Sequence, residues 1–335
     1  MSAQANHYES DALPTGTVDV VVIGGGAAGL NGALMLARSR RSVVVIDSGT
    51  PRNAPAAAMH GFIVLDGTPP PEILKRGREQ VRQYGGRIVY GQVATAEPAA
   101  PSADGDLRFT VTLADGRTLT ARRVLVATGL RDVLPEVPGL AEHWGHSVVH
   151  CPYCHGYEVR DEPIGILATA PASIHHAWLF RQLTDDLIYF TRGTDLDSET
   201  RARFAARNIR IIETDVEEVV NDNDGALTGV RLTDGTFVGR RVLAVATRMQ
   251  ARTEGLDGLK LPMEDLPDDM GRRFSSATAG TTEVPGVWVA GNATDLTAQV
   301  GASAAAGALA GSHINALLAA ADTDAALAAT QKTTG

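Results

Sequence analysis

The segment from Val18 to Asp47 constrains this chain most. An apolar run, Val18–Ile23, passes directly into Gly24-Gly25-Gly26-Ala27-Ala28-Gly29, and a helical pattern follows to about Ser39. A second apolar run, Ser42–Ile46, then ends at Asp47, 18 residues beyond Gly29. Strand, tight turn, helix and strand in this order form a βαβ unit, and each position has a physical task. Gly24 permits the turn, Gly26 lets the backbone approach a pyrophosphate, and Gly29 lets the helix pack close to the strand, with Ala28 small beside it. The helix start offers free N–H groups to a phosphate, and Asp47 accepts hydrogen bonds from a ribose. The segment predicts a dinucleotide site in a parallel α/β domain.

An internal repeat extends this design over the chain. Val111-Thr-Leu-Ala-Asp-Gly, Arg122-Arg-Val-Leu and Ala127-Thr128 recur as Val230-Arg-Leu-Thr-Asp-Gly, Arg240-Arg-Val-Leu and Ala246-Thr247. Strand signals at Arg87–Ala94, Leu107–Leu113 and Thr118–Val126 precede the end of the first copy, the last two joined through Asp115-Gly116. Ile164–Leu167, Pro171–Gln182 and Asp186–Phe190 read as strand, helix and strand of the second copy. The predicted fold is α/β, with two Rossmann-like dinucleotide-binding domains, the second inserted in the first. Residues 1–16 read as a disordered lead-in, 17–131 and 248–322 as the two segments of the outer domain, 132–247 as the insert, and 323–335 as a flexible tail.

The second copy lacks the phosphate chemistry of the first. Where the three glycines would stand it has Ala168, Ala170 and Ser173, with Pro171 between, and the next strand is followed by a single Arg192. A Cβ opposes the turn, and proline removes an N–H that a phosphate would use.

Cys151 and Cys154 are the two cysteines among 335 residues, and they lie in Cys151-Pro152-Tyr153-Cys154-His155. Disulfide-stapled secreted chains use more cysteines at longer spacings, so this pair predicts redox chemistry. A helix start and His155 both favour a thiolate, His155 most directly as a cation beside Cys154. A zinc site would need His150 and His155 as further ligands, but adjacent residues rarely converge on one ion, and no metal is expected. His143, His146, His175 and His176 read as packing or surface residues.

Near the end, Gly291-Asn292 follows a strand, Val287–Ala290, and precedes a small-residue helix from about Thr297 to Ala319 containing Gln299-Val300. An amide there is placed to meet cofactor oxygens. Thirty basic against 39 acidic side chains leave −9, with no basic patch to favour nucleic acid or an anionic membrane. No apolar run approaches a membrane span and the first residues lack the pattern of a signal peptide, so a cytoplasmic protein is expected.

Together these residues resemble the low-molecular-weight thioredoxin reductase family over about residues 17–320. The first glycine motif with Asp47, Ala127-Thr128-Gly129, the Cys-x-x-Cys, Ala246-Thr247-Arg248 and Gly291-Asn292 occur in that family's order. The resemblance implies FAD in the outer domain, held by Gly24, Gly26, Ala28, Gly29, Asp47, Ala127, Thr128, Gly129, Gly291, Asn292, Gln299 and Val300, and it implies a homodimer. It also implies Cys154 against the flavin and Cys151 exchanging with substrate.

Three departures redirect the expectation. The family's reductases carry Asp after the second Cys, where this chain has His155; they carry Gly-Asp where it has Gly291-Asn292; and they keep the second glycine motif with a basic cluster for NADPH. The segment Cys151-Pro-Tyr-Cys-His-Gly-Tyr-Glu158 looks like a branch of flavin dithiol oxidases that close disulfides in microbial natural products such as gliotoxin and holomycin. That branch implies electron flow from a small-molecule dithiol through the Cys pair and FAD to oxygen, with His155 as acid/base. The alternatives are a reductase passing electrons from NADPH or another donor to a thioredoxin-like protein, and a non-catalytic flavin redox sensor.

Overall fold

The structure, a computed structural model, describes residues 10–103 and 105–333, with side chains to Gln331. The opening βαβ unit is β1 (Thr17–Ile23), α1 (Ala27–Arg38) and β2 (Val43–Asp47). It continues through α2 (Pro70–Gln83), β3 (Arg87–Tyr90), β4 (Val93–Ala99), β5 (Arg108–Leu113) and β6 (Thr118–Val126). The order is β3-β2-β1-β6, all parallel, with β5 added antiparallel to the first half of β6 and β4 antiparallel to β5. Apolar side chains cover both faces of this sheet, as parallel strands buried on two sides require.

Two short strands cross between the domains. They are β7 (Leu130–Val133) on the way out and, on the way back, a strand at Arg248–Ala251 that pairs with it antiparallel. The insert holds β8 (Val148–Val149), α3 (Pro152–His155), β9 (Ile164–Leu167), α4 (Ala172–Phe180), β10 (Leu187–Phe190), α5 (Ser198–Ala206) and β11 (Arg210–Ile212). It then adds β12 (Val216–Asn221), β13 (Leu227–Leu232), β14 (Phe237–Gly239) and β15 (Val242–Val245). Its parallel sheet runs β11-β10-β9-β15-β8, beside a separate antiparallel β12-β13-β14. The returning strand is β16; after it come β17 (Met263–Leu266), β18 (Gly271–Phe274), β19 (Val287–Val289), which pairs with the second half of β6, and α6 (Val300–Thr333).

The repeat has a structural and an electrostatic meaning. In the first copy the long β6 both closes the hairpin and joins the parallel sheet. In the second the same stretch is divided into β14 and β15 around Arg240 and Arg241. Arg122 and Arg123 both bond Asp106, and Arg240 bonds Asp186 at 2.8 Å, so each copy ties its hairpin down through the same dipeptide.

Several expectations are corrected. The predicted strand Arg87–Ala94 is two strands parted at Gly91-Gln92, because β3 continues the parallel sheet while β4 turns to pair with β5. Part of the expected disordered lead-in is fixed: Asp11 accepts from the Ile88 N–H at 2.7 Å and pairs with Arg82 at 3.0 Å. The remainder, residues 1–9, lies outside the described residues. The expected flexible tail is helical through Thr333, and Asp322, the residue just before it, bonds Arg41 and Arg122, each at 2.6 Å. Contrary to the reading of apolar runs, α6 is long and apolar enough to cross a membrane by length and composition. That apolarity is largely alanine, and the positions that pack are Ala310, Ile314 and Leu318. Gly307 lies so close to α1 that a Cβ there would sit 1.9 Å from the Ala28 carbonyl oxygen.

Candidate active site

The turn between β1 and α1 is built as its glycines require. Gly24 adopts φ +109°, and a Cβ there would lie 2.2 Å from the Ala127 carbonyl oxygen. A Cβ on Gly29 would lie 1.9 Å from the Gly24 oxygen, so the helix rests directly on the turn. At Gly26 a Cβ would meet no protein atom within 4 Å. This glycine faces open space, and it starts α1 without a side-chain cap. The first-turn amides are therefore free for an anion. Asp47, buried at the end of β2, accepts from the Gly49 N–H at 3.0 Å.

One cavity of about 1100 Å³ joins this turn to the cysteines of the insert. Along it lie Gly24, Gly26, Ala28, Asp47, Ala127, Thr128, Gly129, Asn292, Gln299 and Val300 from the outer domain, and Cys151, Cys154 and His155 from the insert. Gly29 and Gly291 stand behind this wall. A Cβ on Gly291 would lie 2.7 Å from that of Ala28. Asn292 is not free to turn its whole amide to a cofactor: its NH2 group donates to the carbonyls of Asp295 at 2.9 Å and Ala298 at 2.8 Å, shaping the loop before α6.

Cys151 and Cys154 form a disulfide across the first turn of α3, with Cα atoms 5.2 Å apart. The Cys154 N–H points at the Cys151 sulfur at 3.1 Å, a contact that stabilises negative charge there when the bond opens. Among the described residues no group of three or more His, Cys, Asp or Glu is placed to hold a metal ion.

Four histidines, His60, His150, His155 and His176, line the cavity, and burial lowers three of them, His150, His155 and His176. Burial pushes the His155 imidazole below its ordinary value; Glu158 opposes this, while His60 and His146 add to it. Its Nε2 is enclosed without a hydrogen-bond partner. This shift opposes the expected cation beside Cys154 and favours the neutral ring. His176 is buried and held down to about 3, chiefly by burial. Its Nε2 contacts the carbonyl oxygen of His150, the peptide group just before Cys151. His143, also buried, is a packing residue bonded to Asn221 at 2.8 Å.

A polar cluster that the sequence reading did not single out lies at the crossing strands. Asp132 of β7 receives two bonds of 2.6 Å from Arg52 and one of 2.6 Å from the Thr247 hydroxyl. Burial alone would raise its carboxyl, but the Arg52 guanidinium outweighs that and holds it below the usual range. His150 lies beside Thr247 and bonds the Val245 carbonyl at 3.0 Å, so the cluster leads to the residue preceding Cys151.

The equivalent turn of the insert is closed by its own residues. The Ser173 hydroxyl accepts from the Thr169 N–H at 3.0 Å and lies 3.4 Å from the Ala170 nitrogen. Arg192 folds back to donate to the Ala168 carbonyl at 3.0 Å. Two amides of this turn and one nitrogen of the Arg192 guanidinium thus have partners within the insert.

Comparison with known proteins agrees with this geometry. Residues 18–310 match the family described as pyridine nucleotide-disulphide oxidoreductase. "Thioredoxin reductase tcpT" of Claviceps purpurea (strain 20.1) is 35% identical over 286 residues, 82% of this chain and 86% of that protein. "Thioredoxin reductase sirT" of Leptosphaeria maculans is 29% identical over 89% of this chain and 93% of that one. The crystal structure of HlmI superposes with a TM-score of 0.89 at 43% identity, covering 97% of this chain and 99% of that chain. The chain belongs to the pyridine nucleotide-disulphide oxidoreductase family, in its thioredoxin reductase-like group, and acts on thiols and disulfides. Its cofactor is FAD. The open cradle at Gly26, the uncapped start of α1 and the buried Asp47 carboxylate fit that group.

Proposed function

We propose that this flavoprotein oxidises a small-molecule dithiol to its disulfide and delivers the electrons to oxygen, without NADPH. The observation that carries this reading is the second turn, which lacks the three glycines and whose Thr169 N–H and Arg192 bond to Ser173 and to the Ala168 carbonyl. Electrons then enter from the thiol side. The likeness to HlmI and the Cys151–Glu158 segment support the same direction.

In this reading a substrate thiolate attacks the Cys151 sulfur, forming a mixed disulfide as the Cys151–Cys154 bond breaks and Cys154 leaves as thiolate. The second substrate thiol loses its proton and attacks the substrate sulfur of that mixed disulfide. The product disulfide closes, Cys151 leaves, and two electrons now reside on the cysteine pair. His155, kept neutral by burial, accepts a thiol proton. The Cys154 N–H steadies the charge on Cys151. Bound FAD supplies the two-electron acceptor that restores the disulfide and transfers the electrons to oxygen as hydrogen peroxide.

A second reading, NADPH-dependent reduction of a thioredoxin, takes support from the names of the fungal relatives. Oxygen uptake with dithiothreitol and a panel of small cyclisable dithiols, without NADPH, separates the two. The proposal expects one peroxide per dithiol and none from the Cys151→Ser variant. No uptake with any dithiol, together with NADPH-driven thioredoxin reduction, would replace it with the second reading.

A further inference from the structure

His60 sits on a closed loop of the outer domain. Main-chain bonds from Met59 to Thr68 at 2.9 Å and from Gly67 to Met59 at 2.8 Å seal its base. Asp66 then fixes the tip: it accepts from the Gly61 N–H at 2.8 Å and lies 3.3 Å from His60 Nδ1. This leaves Nε2 turned to the other domain, 3.4 Å from the Glu158 carboxylate, three residues beyond His155. His60 also lines the cavity that holds Cys151, Cys154 and His155.

We infer that His60 is a positioning residue for the disulfide centre: oriented by Asp66, it holds Glu158, and with it the α3 turn bearing Cys151 and Cys154, in register with the outer domain's cavity. The side chains of the short α3 are half-buried or exposed, and its segment carries the exposed Tyr153 and Tyr157. A polar contact from the opposite domain supplies the missing constraint. The groups facing the pair are Asp66 and Glu158, with His155 near enough to respond to both His60 and Glu158 in opposite senses. The inference needs only thiol–disulfide exchange at Cys151–Cys154 and holds for either direction of electron flow.

The test uses the FAD-loaded enzyme reduced anaerobically by dithiothreitol in a stopped-flow instrument. His60→Ala, His60→Lys, Glu158→Gln and the double variant His60→Ala/Glu158→Gln are compared across pH, with FAD content measured for each. Misplacement of a reacting group costs up to ~10²-fold, so His60→Ala and Glu158→Gln should each slow reduction by about 10- to 100-fold. The double variant should be no slower than the slower single one, His60→Lys should recover most of the rate, and the pH profile should move in the Ala and Gln variants. FAD content should stay at the wild-type level throughout. Wild-type rates in His60→Ala, additive losses in the double variant, or a loss in His60→Ala that Glu158→Gln does not share would overturn the inference. Glu158 is half-exposed, so that variant remains informative if His60→Ala folds poorly.

Discussion

Two glycines of one turn should fail in opposite ways when substituted. At Gly24 an added methyl meets a left-handed backbone, costing an L-residue ~1–2 kcal/mol. It also stands 2.2 Å from the Ala127 carbonyl oxygen and 2.7 Å from its carbon, a backbone overlap that something must move to relieve. Overpacking of that kind costs ~1–3 kcal/mol. Gly24→Ala should therefore lose ~2–5 kcal/mol of stability before any cofactor is considered. Gly26→Val meets no protein atom within 4 Å. Its cost to the apoprotein is that of a poorer helix N-cap, ~1 kcal/mol. The branched side chain instead fills the cradle, and losing one or two charge-assisted bonds to phosphate weakens FAD by ~10²–10³-fold. Deflavinated wild type and both variants would be compared by denaturant unfolding, then titrated with FAD while flavin fluorescence is followed. Wild-type FAD affinity in Gly26→Val, or apo Gly24→Ala no less stable than apo Gly26→Val, would refute the reasoning.

The cysteines should separate spectroscopically. Cys151→Ser leaves Cys154 alone beside the flavin and should show a long-wavelength charge-transfer band without turnover, whereas Cys154→Ser should trap substrate on Cys151 without that band. His155→Ala should slow flavin reduction by ~10²–10⁴-fold at normal FAD content. Because burial depresses the folded His155 value, the rate limb that it removes should lie below pH 6.5, as a pH profile of both proteins would reveal. His176 should contribute stability that acid removes. Its value drops from 6.5 to about 3 on folding, so the unfolded chain binds the extra proton between those limits. Stability is complete above pH 6.5 and declines as pH falls toward 3, and His176→Gln should blunt that decline in urea melts at stepped pH.

The outer nucleotide turn was legible because its chemistry is local. Gly24 and Gly29 answer to atoms a few residues away or on the adjoining strand, and Asp47 follows from strand length. The repeated Arg-Arg-Val-Leu likewise marked the two hairpins, since the first Arg of each copy bonds a nearby aspartate, Asp106 or Asp186. What the sequence concealed depends on distant partners. Nothing local ties Arg52 to Asp132, 80 residues on, or His60 to Glu158, and both contacts exist only once the insert is seated against the loop after β2. The extent of α6 was hidden for a related reason. An alanine-rich tail with little periodic patterning gives no signal, while its anchor, Asp322, depends on Arg41 and Arg122 from the far end of the chain. The lowered value of His155 was not legible, because burial is a property of the folded site.

The direction of electron flow is the central claim, and anaerobic stopped-flow reduction of the same FAD-loaded enzyme by NADPH and by dithiothreitol tests it most directly. With Ser173 and Arg192 bonded within the insert's turn and its glycines replaced, dithiothreitol should bleach the flavin rapidly and stoichiometrically, and NADPH should act far more slowly or not at all. Admitting oxygen should then restore the yellow colour with one peroxide formed per flavin. Rapid stoichiometric bleaching by NADPH, with dithiothreitol slow, would contradict the account and make the protein a reductase.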